Sequence, residues 1–205
     1  MKLKASAIFI FFPLIILFVI SCWNPFDARD PEPPSGETSH YKQPTTPQSA
    51  LYNLQWSLME KNIANFQSTL SDDYKFYFDA KDVQDFTSGT ESWDLNKEIE
   101  ITSALFNKCT ESGNDTISVV FTEDSNNPDP TRYSASVTLY RRYRVVFPMT
   151  TYAPNDTIPA QGYMIITLVK DASSLWYISV WKDKRLDNAR SDTLPTWGRV
   201  KWEFN

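Results

Sequence analysis

The sequence contains one histidine, two cysteines and five glycines in 205 residues, and each scarcity closes off a class of chemistry. With so little glycine against 13 prolines, no glycine-dependent phosphate loop is expected. The lone histidine, His40, precedes the segments that look folded, which removes the commonest base at neutral pH and leaves Cys109 without a histidine to activate it. Two cysteines, Cys22 and Cys109, are too few for a disulfide framework. Cys109 reads as a small buried hydrophobe near a helix end. An excess of basic residues is missing as well. The formal net charge is −5, so nothing in the overall field would attract nucleic acid. What the chain does have is apolar and aromatic bulk: 41% hydrophobic residues, with 13 Phe, 10 Tyr and 7 Trp. That is enough for one sizeable core, and a single domain is expected.

Residues 1–21 read as an export signal. Lys2 and Lys4 make a short basic start, followed by an apolar run from Ala5 to Ile20 that Pro13 interrupts. The run falls short of the roughly 20 residues a spanning helix needs. Val19-Ile20-Ser21-Cys22 resembles a bacterial lipobox, although Val19 and the bulky Ile20 depart from its usual first two residues. The resemblance implies cleavage before Cys22 and acylation of its thiol. The expected partner is then the membrane, through lipid on Cys22, and the expected location is the cell envelope, facing away from the cytoplasm. Trp23 after the cysteine would direct the chain to an outer membrane where one exists. Residues 22–45 are rich in Pro, Ser, Thr and charge without an apolar period, and read as an extended tether.

Residues 46–205 carry the periodic patterns. Thr46 is placed to cap a helix with Pro47 at its first position, and Leu51, Leu54 and Leu58 form its apolar stripe. A second helix is expected over 63–70, ended by Asp72-Asp73, and a strand over 74–78. Ser92 or Asp94 would cap a third helix with Leu95, Ile99, Thr102 and Phe106 on one face. Its acids Glu98 and Glu100 read as the solvated side. Strands are expected over 117–121, 133–147, 163–169, 175–181 and 199–204, at hairpin spacing. Helices first and antiparallel strands afterwards is an α+β order.

The run Asp72-Asp73-Tyr74-Lys75-Phe76-Tyr77-Phe78-Asp79, then Glu91-Ser92-Trp93, Leu175-Trp176-Tyr177-Ile178-Ser179-Val180-Trp181-Lys182-Asp183 and the late Pro195-Thr196-Trp197-Gly198 together resemble the nuclear transport factor 2-like superfamily (SnoaL-like, cystatin-like cone), in particular its bacterial lipoprotein members. The similarity spans about residues 46–204. It implies N-terminal helices packed in a strongly curved antiparallel sheet, with an apolar pocket between them, and a possible homodimer through the sheet. Such folds serve both enzymes and non-catalytic modules, so fold does not decide activity.

The candidate pocket set is Arg141, Tyr143, Trp56, Trp181 and Asp183. Strict alternation places Arg141 among Val137, Leu139 and Tyr143, where it must find an anion. That anion is either a ligand in the pocket or a partner met at an open edge or a bulge. Asp183 is the best-placed carboxylate by analogy with acid–base enzymes of this fold, which need a carboxylate and a tyrosine facing one another. It could equally be a strand-end hydrogen-bonding residue. The aromatic residues suit a core or a pocket lining. Asp124, Asn126 and Asp129 lack the glycine and terminal glutamate of a calcium loop, and no metal or other cofactor is expected. A small-molecule ligand is expected without a name. The favoured reading is a membrane-tethered, non-catalytic binding module; the alternative is an isomerase or dehydratase of the SnoaL or ketosteroid-isomerase type.

Overall fold

Thr46 begins the first helix, α1 (Pro47–Met59), with a reciprocal cap. Its hydroxyl accepts from the Ser49 amide, and the Thr46 amide donates to Ser49 Oγ at 3.0 Å. This satisfies two of the helix's orphan donors. In the computed structural model, residues 40–111, 116–149, 157–186 and 194–205 are described; the segment read as an export signal, Cys22 and the expected tether up to residue 39 lie outside the described residues. Residues 40–44, expected to end the tether, are pinned to the domain. His40 stacks on Trp56 with ring centroids 3.7 Å apart. Asn53 exchanges hydrogen bonds with the backbone of Lys42, and the Trp176 amide donates to Pro44 O.

Lys61, at φ +54°, turns the chain, and Asn62 caps α2 (Ile63–Ser68). The strand β1 (Leu70–Tyr77) begins earlier than the sequence suggests and runs straight through Asp72-Asp73. Those two acids are exposed, where a register shift between Leu70 and Lys75 lets them bulge away from the neighbouring strand. After α3 (Ala80–Asp85), capped by Asp79, the short β2 (Ser92–Asp94) pairs with β1. Asp94 then opens α4 (Leu95–Glu111) by accepting from the Lys97 amide at 3.1 Å.

The remaining strands are β3 (Ser118–Glu123), β4 (Ser136–Pro148), β5 (Thr157–Lys170) and β6 (Trp176–Lys184). They form one six-stranded sheet in the order β2-β1-β6-β5-β4-β3, antiparallel except where β1 meets β6. The alternation in β4 and β5 is nearly unbroken, with one set of side chains buried against the helices and the other half-buried or exposed.

The C-terminal segment departs from expectation. Residues 199–204, read as a strand, belong to the helix α5 (Trp197–Trp202) and its end. The reason is local: Thr196 accepts from the Arg199 amide as an N-cap. Helical spacing then turns Trp197, Val200 and Lys201 to one buried face, where strand spacing would have split them. No helix among the described residues is long and apolar enough to cross a membrane.

Candidate functional site

The interior between sheet and helices is where a pocket would lie, and α5 occupies it. The Trp197 indole packs against Trp181 (5.3 Å between centroids), Phe147 (5.4 Å) and Tyr143 (6.2 Å). Gly198 follows because the space admits nothing larger: a Cβ there would sit 2.8 Å from Phe78 and 3.0 Å from Asp183 Oδ2. The first amides of α5 point at two interior side chains. The Trp197 amide donates to Tyr143 Oη at 2.8 Å, and the Gly198 amide donates to Asp183 Oδ2 at 2.6 Å. Tyr143 Oη in turn donates to Asp183 Oδ1 at 2.6 Å.

Asp183 is fully buried. Burial pushes its carboxyl up to about 6, and the bonds from Tyr143 and Gly198 moderate that rise. Burial also raises the Tyr143 phenol, and the adjoining carboxylate pushes it further.

One turn along α5, Lys201 is 0% exposed and its ammonium meets Glu98, also 0% exposed, at 2.5 Å. Three rings surround the ammonium, Phe76 at 4.2 Å, Trp181 at 5.0 Å and Trp197 at 5.2 Å, so aromatic faces stand where water would otherwise solvate it. Trp93 Nε1 donates to the second carboxylate oxygen of Glu98 at 2.7 Å, and Thr102 approaches the first at 3.4 Å. Burial draws the lysine below its ordinary range while Glu98 holds it up. Glu98, expected on the solvated face of α4, is therefore an internal ion-pair member. Its position explains why: it heads the stripe Ile101, Thr102, Leu105, Cys109, all buried. Glu100 is exposed and pairs with Lys97.

A second latch ties α5 to α3. Buried Asp82 accepts from Arg185 Nη2 at 2.6 Å through one oxygen and from Thr196 Oγ1 at 2.6 Å through the other. Glu98, Lys201, Asp82 and Arg185 were all missed by sequence reasoning. Only Glu98, through the apolar residues three, seven and eleven positions on, carried a signal that could have been found.

Three solved structures are similar in fold. A protein from Kribbella flavida matches with TM-score 0.51 at 14% identity, covering 67% of this chain and 86% of that one. A candidate aromatic ring hydroxylase from Novosphingobium aromaticivorans matches with TM-score 0.50 at 9% identity, covering 69% and 87%. A nuclear transport factor 2 superfamily protein from Salmonella enterica matches with TM-score 0.46 at 9% identity, covering 68% and 88%. The fold is a mixed α+β cone, one curved six-stranded sheet with helices packed against it. At these identities the likeness extends to fold and no further. No protein-family model and no curated protein matches the sequence.

Within the cone the expected pocket residues separate into three places. Tyr143, Trp181 and Asp183 come together in the closed interior. Arg141 is buried but turned to a loop: its guanidinium makes a two-pronged contact with Asp129 (2.7 and 2.5 Å), and Asp129 also accepts from Gln48. Burial pushes the Asp129 carboxyl up, but the bonds and charge of Arg141 outweigh it and hold the group below its usual range. Trp56 lies on α1 under His40. Asp124, singled out with Asn126 and Asp129 as a weak calcium pattern, ties its own turn by accepting from the Asn126 amide and the Asn127 side chain. Three clefts stand out on the described residues, and Tyr143, Trp181 and Asp183 line none of them.

Proposed function

We propose that the chain is a membrane-tethered envelope lipoprotein, anchored through lipid on Cys22, whose cone is a non-catalytic binding module. One observation supports the non-catalytic part most directly: α5 fills the interior with Trp197 and Lys201. Both oxygens of Asp183, the carboxylate bonded to Tyr143 there, already accept hydrogen bonds. A carboxylate that is fully buried, enclosed by these donors and lining none of the three clefts above has no open side from which to take a substrate proton.

Apolar ring compounds in a thermal-shift titration test this reading. A closed cone predicts no stabilisation, because a ligand raises stability only through sites open in the native state. Stabilisation abolished by Trp181→Leu would refute it. The tether is tested by labelled palmitate, which should enter the wild-type chain and be absent from Cys22→Ser.

The isomerase or dehydratase reading keeps one specific support. The Tyr143–Asp183 pair and three buried polar atoms without partners among the described residues (Tyr74 Oη, Trp181 Nε1 and Trp197 Nε1) are groups that an interior ligand would use. It requires α5 to withdraw.

A further inference from the structure

If binding does not occur inside the cone, the opposite face of the sheet is where to look. The outward positions of β4, β5 and β6 carry Arg142, Arg144, Lys182 and Lys184, and no carboxylate at all. On a chain of net charge −5 this is a local inversion of the field. Tyr163 sits at its centre, paired with Arg142 on one side and Lys184 on the other; the Arg142 guanidinium lies 5.0 Å from its ring centroid. Tyr140 is the diagonal neighbour, opposite Ile165.

Beside these tyrosines opens a cleft of about 710 Å³. It is bounded by the start of α3 and by the turn after β3. Its two carboxylates, Asp79 and Asp124, stay charged, but they are bonded to neighbouring amides and pair with neither Lys81 nor Lys184. Asp79 accepts from the amides of Lys81 and Arg185, and Asp124 from Asn126 and Asn127. Arg185 is held by Asp82 and Asp85. That leaves the ammonium groups of Lys81 and Lys184, which make no ion pair among the described residues, and the hydroxyls of Tyr140 and Tyr163, which make no hydrogen bond there. The cleft thus offers two ring faces, two uncommitted cations, and hydroxyl and amide groups for hydrogen bonding.

We propose that this cleft binds a carboxylated sugar ring, the uronic acid unit of an acidic glycan, with its C–H face on the tyrosines and its carboxylate toward Lys81 and Lys184. A flat aromatic acid fits less well. Sites for purely apolar rings are enclosed and mostly apolar, whereas Lys81, Asn127 and Lys184 line this cleft beside Met164 and Ile165. A second copy of the chain is also disfavoured, since two-fold pairing of this face sets the same cations against one another.

The inference rests on the closed-cone reading, yet the two fail separately. Loss of glycan binding refutes the cleft alone, and an apolar probe entering the interior refutes the closed cone alone. That assay is equilibrium dialysis of the full chain with labelled galacturonate, digalacturonate, neutral cellobiose and benzoate. Digalacturonate is expected to bind at up to millimolar concentration and cellobiose is not. The Lys81→Glu/Lys184→Glu variant is expected to weaken digalacturonate binding about tenfold, since both cations set toward the carboxylate are reversed. Monomer binding equal to dimer binding would assign the site to a free sugar acid; tighter dimer binding would assign it to a glycan chain. Either outcome supports a carboxylated-sugar site. Three outcomes would overturn it: no retained digalacturonate at millimolar concentration, binding unchanged in the doubly reversed variant, or benzoate retained as well as digalacturonate.

Discussion

Replacing Lys201 by methionine removes a charge from the interior while keeping the length of the side chain, and the structure gives the size of the effect. Glu98 would be left fully buried with only Trp93 Nε1 and Thr102 Oγ1 as partners. Breaking one half of a buried ion pair costs about 3–5 kcal/mol, mostly through the stranded charge. Set against a total stability of roughly 5–15 kcal/mol for a domain, that is a large fraction. The companion Lys201→Met/Glu98→Gln variant removes both charges, and the glutamine can still accept from Trp93 and donate to Thr102. Its cost is expected to fall within about 1 kcal/mol of wild type, because neutral replacements of buried pairs are often close to neutral. Urea unfolding at pH 7 measures all four corners of the cycle. A Lys201→Met cost below about 1 kcal/mol would place the ammonium in water and refute the buried pair. A double variant costing the sum of the two singles would show that the residues do not interact.

Other expectations follow from the same geometry. The Asp183 carboxyl is raised by burial to about 6, so its protonated form is favoured on folding. Its contribution is fully present below the unfolded value near 3.8 and is lost as pH rises through about 6, a difference of about 3 kcal/mol. Asp183→Asn should therefore flatten the stability profile between those limits, and parallel urea midpoints for the two proteins would contradict this. Gly162→Ala should cost about 1–3 kcal/mol in the same measurement, because a Cβ would lie 2.5 Å from both the Lys184 carbonyl and Tyr143 Oη; a neutral result would mean that β5 stands farther from its neighbours. The buried Cys109 thiol, pushed up to about 11, should react with a disulfide reagent at pH 8 only after unfolding, and rapid labelling of the native protein would contradict its burial.

The helices and central strands were legible because their signals are local. Thr46-Pro47 announces α1, and the alternation through Val137, Leu139, Tyr143 and Val145 announces β4 and places Arg141 inside. What alternation could not say is which anion Arg141 would meet, since Asp129 arrives from a loop with no periodicity. The interior pair was hidden for two different reasons. Glu98 was assigned by residue type to the solvent, although its helical neighbours are apolar. Lys201 lay in a segment whose aromatic residues suit a strand, and one capping residue, Thr196, made it a helix. The long-range latches of Asp82 to Arg185 and Thr196 leave no mark in the sequence. The basic outer face was present as Arg142 and Arg144, but only the pairing of Tyr163 with Arg142 and Lys184 brings it together.

Native-state hydrogen exchange at the Trp197 and Gly198 amides tests the closed cone most directly, because these two protons bond to Tyr143 and Asp183. If α5 is a permanent part of the core, both should exchange only through global unfolding, with the same denaturant dependence as amides in the middle of β5. Exchange of both through a local opening, while β5 stays protected, would contradict the account and show a cone that opens.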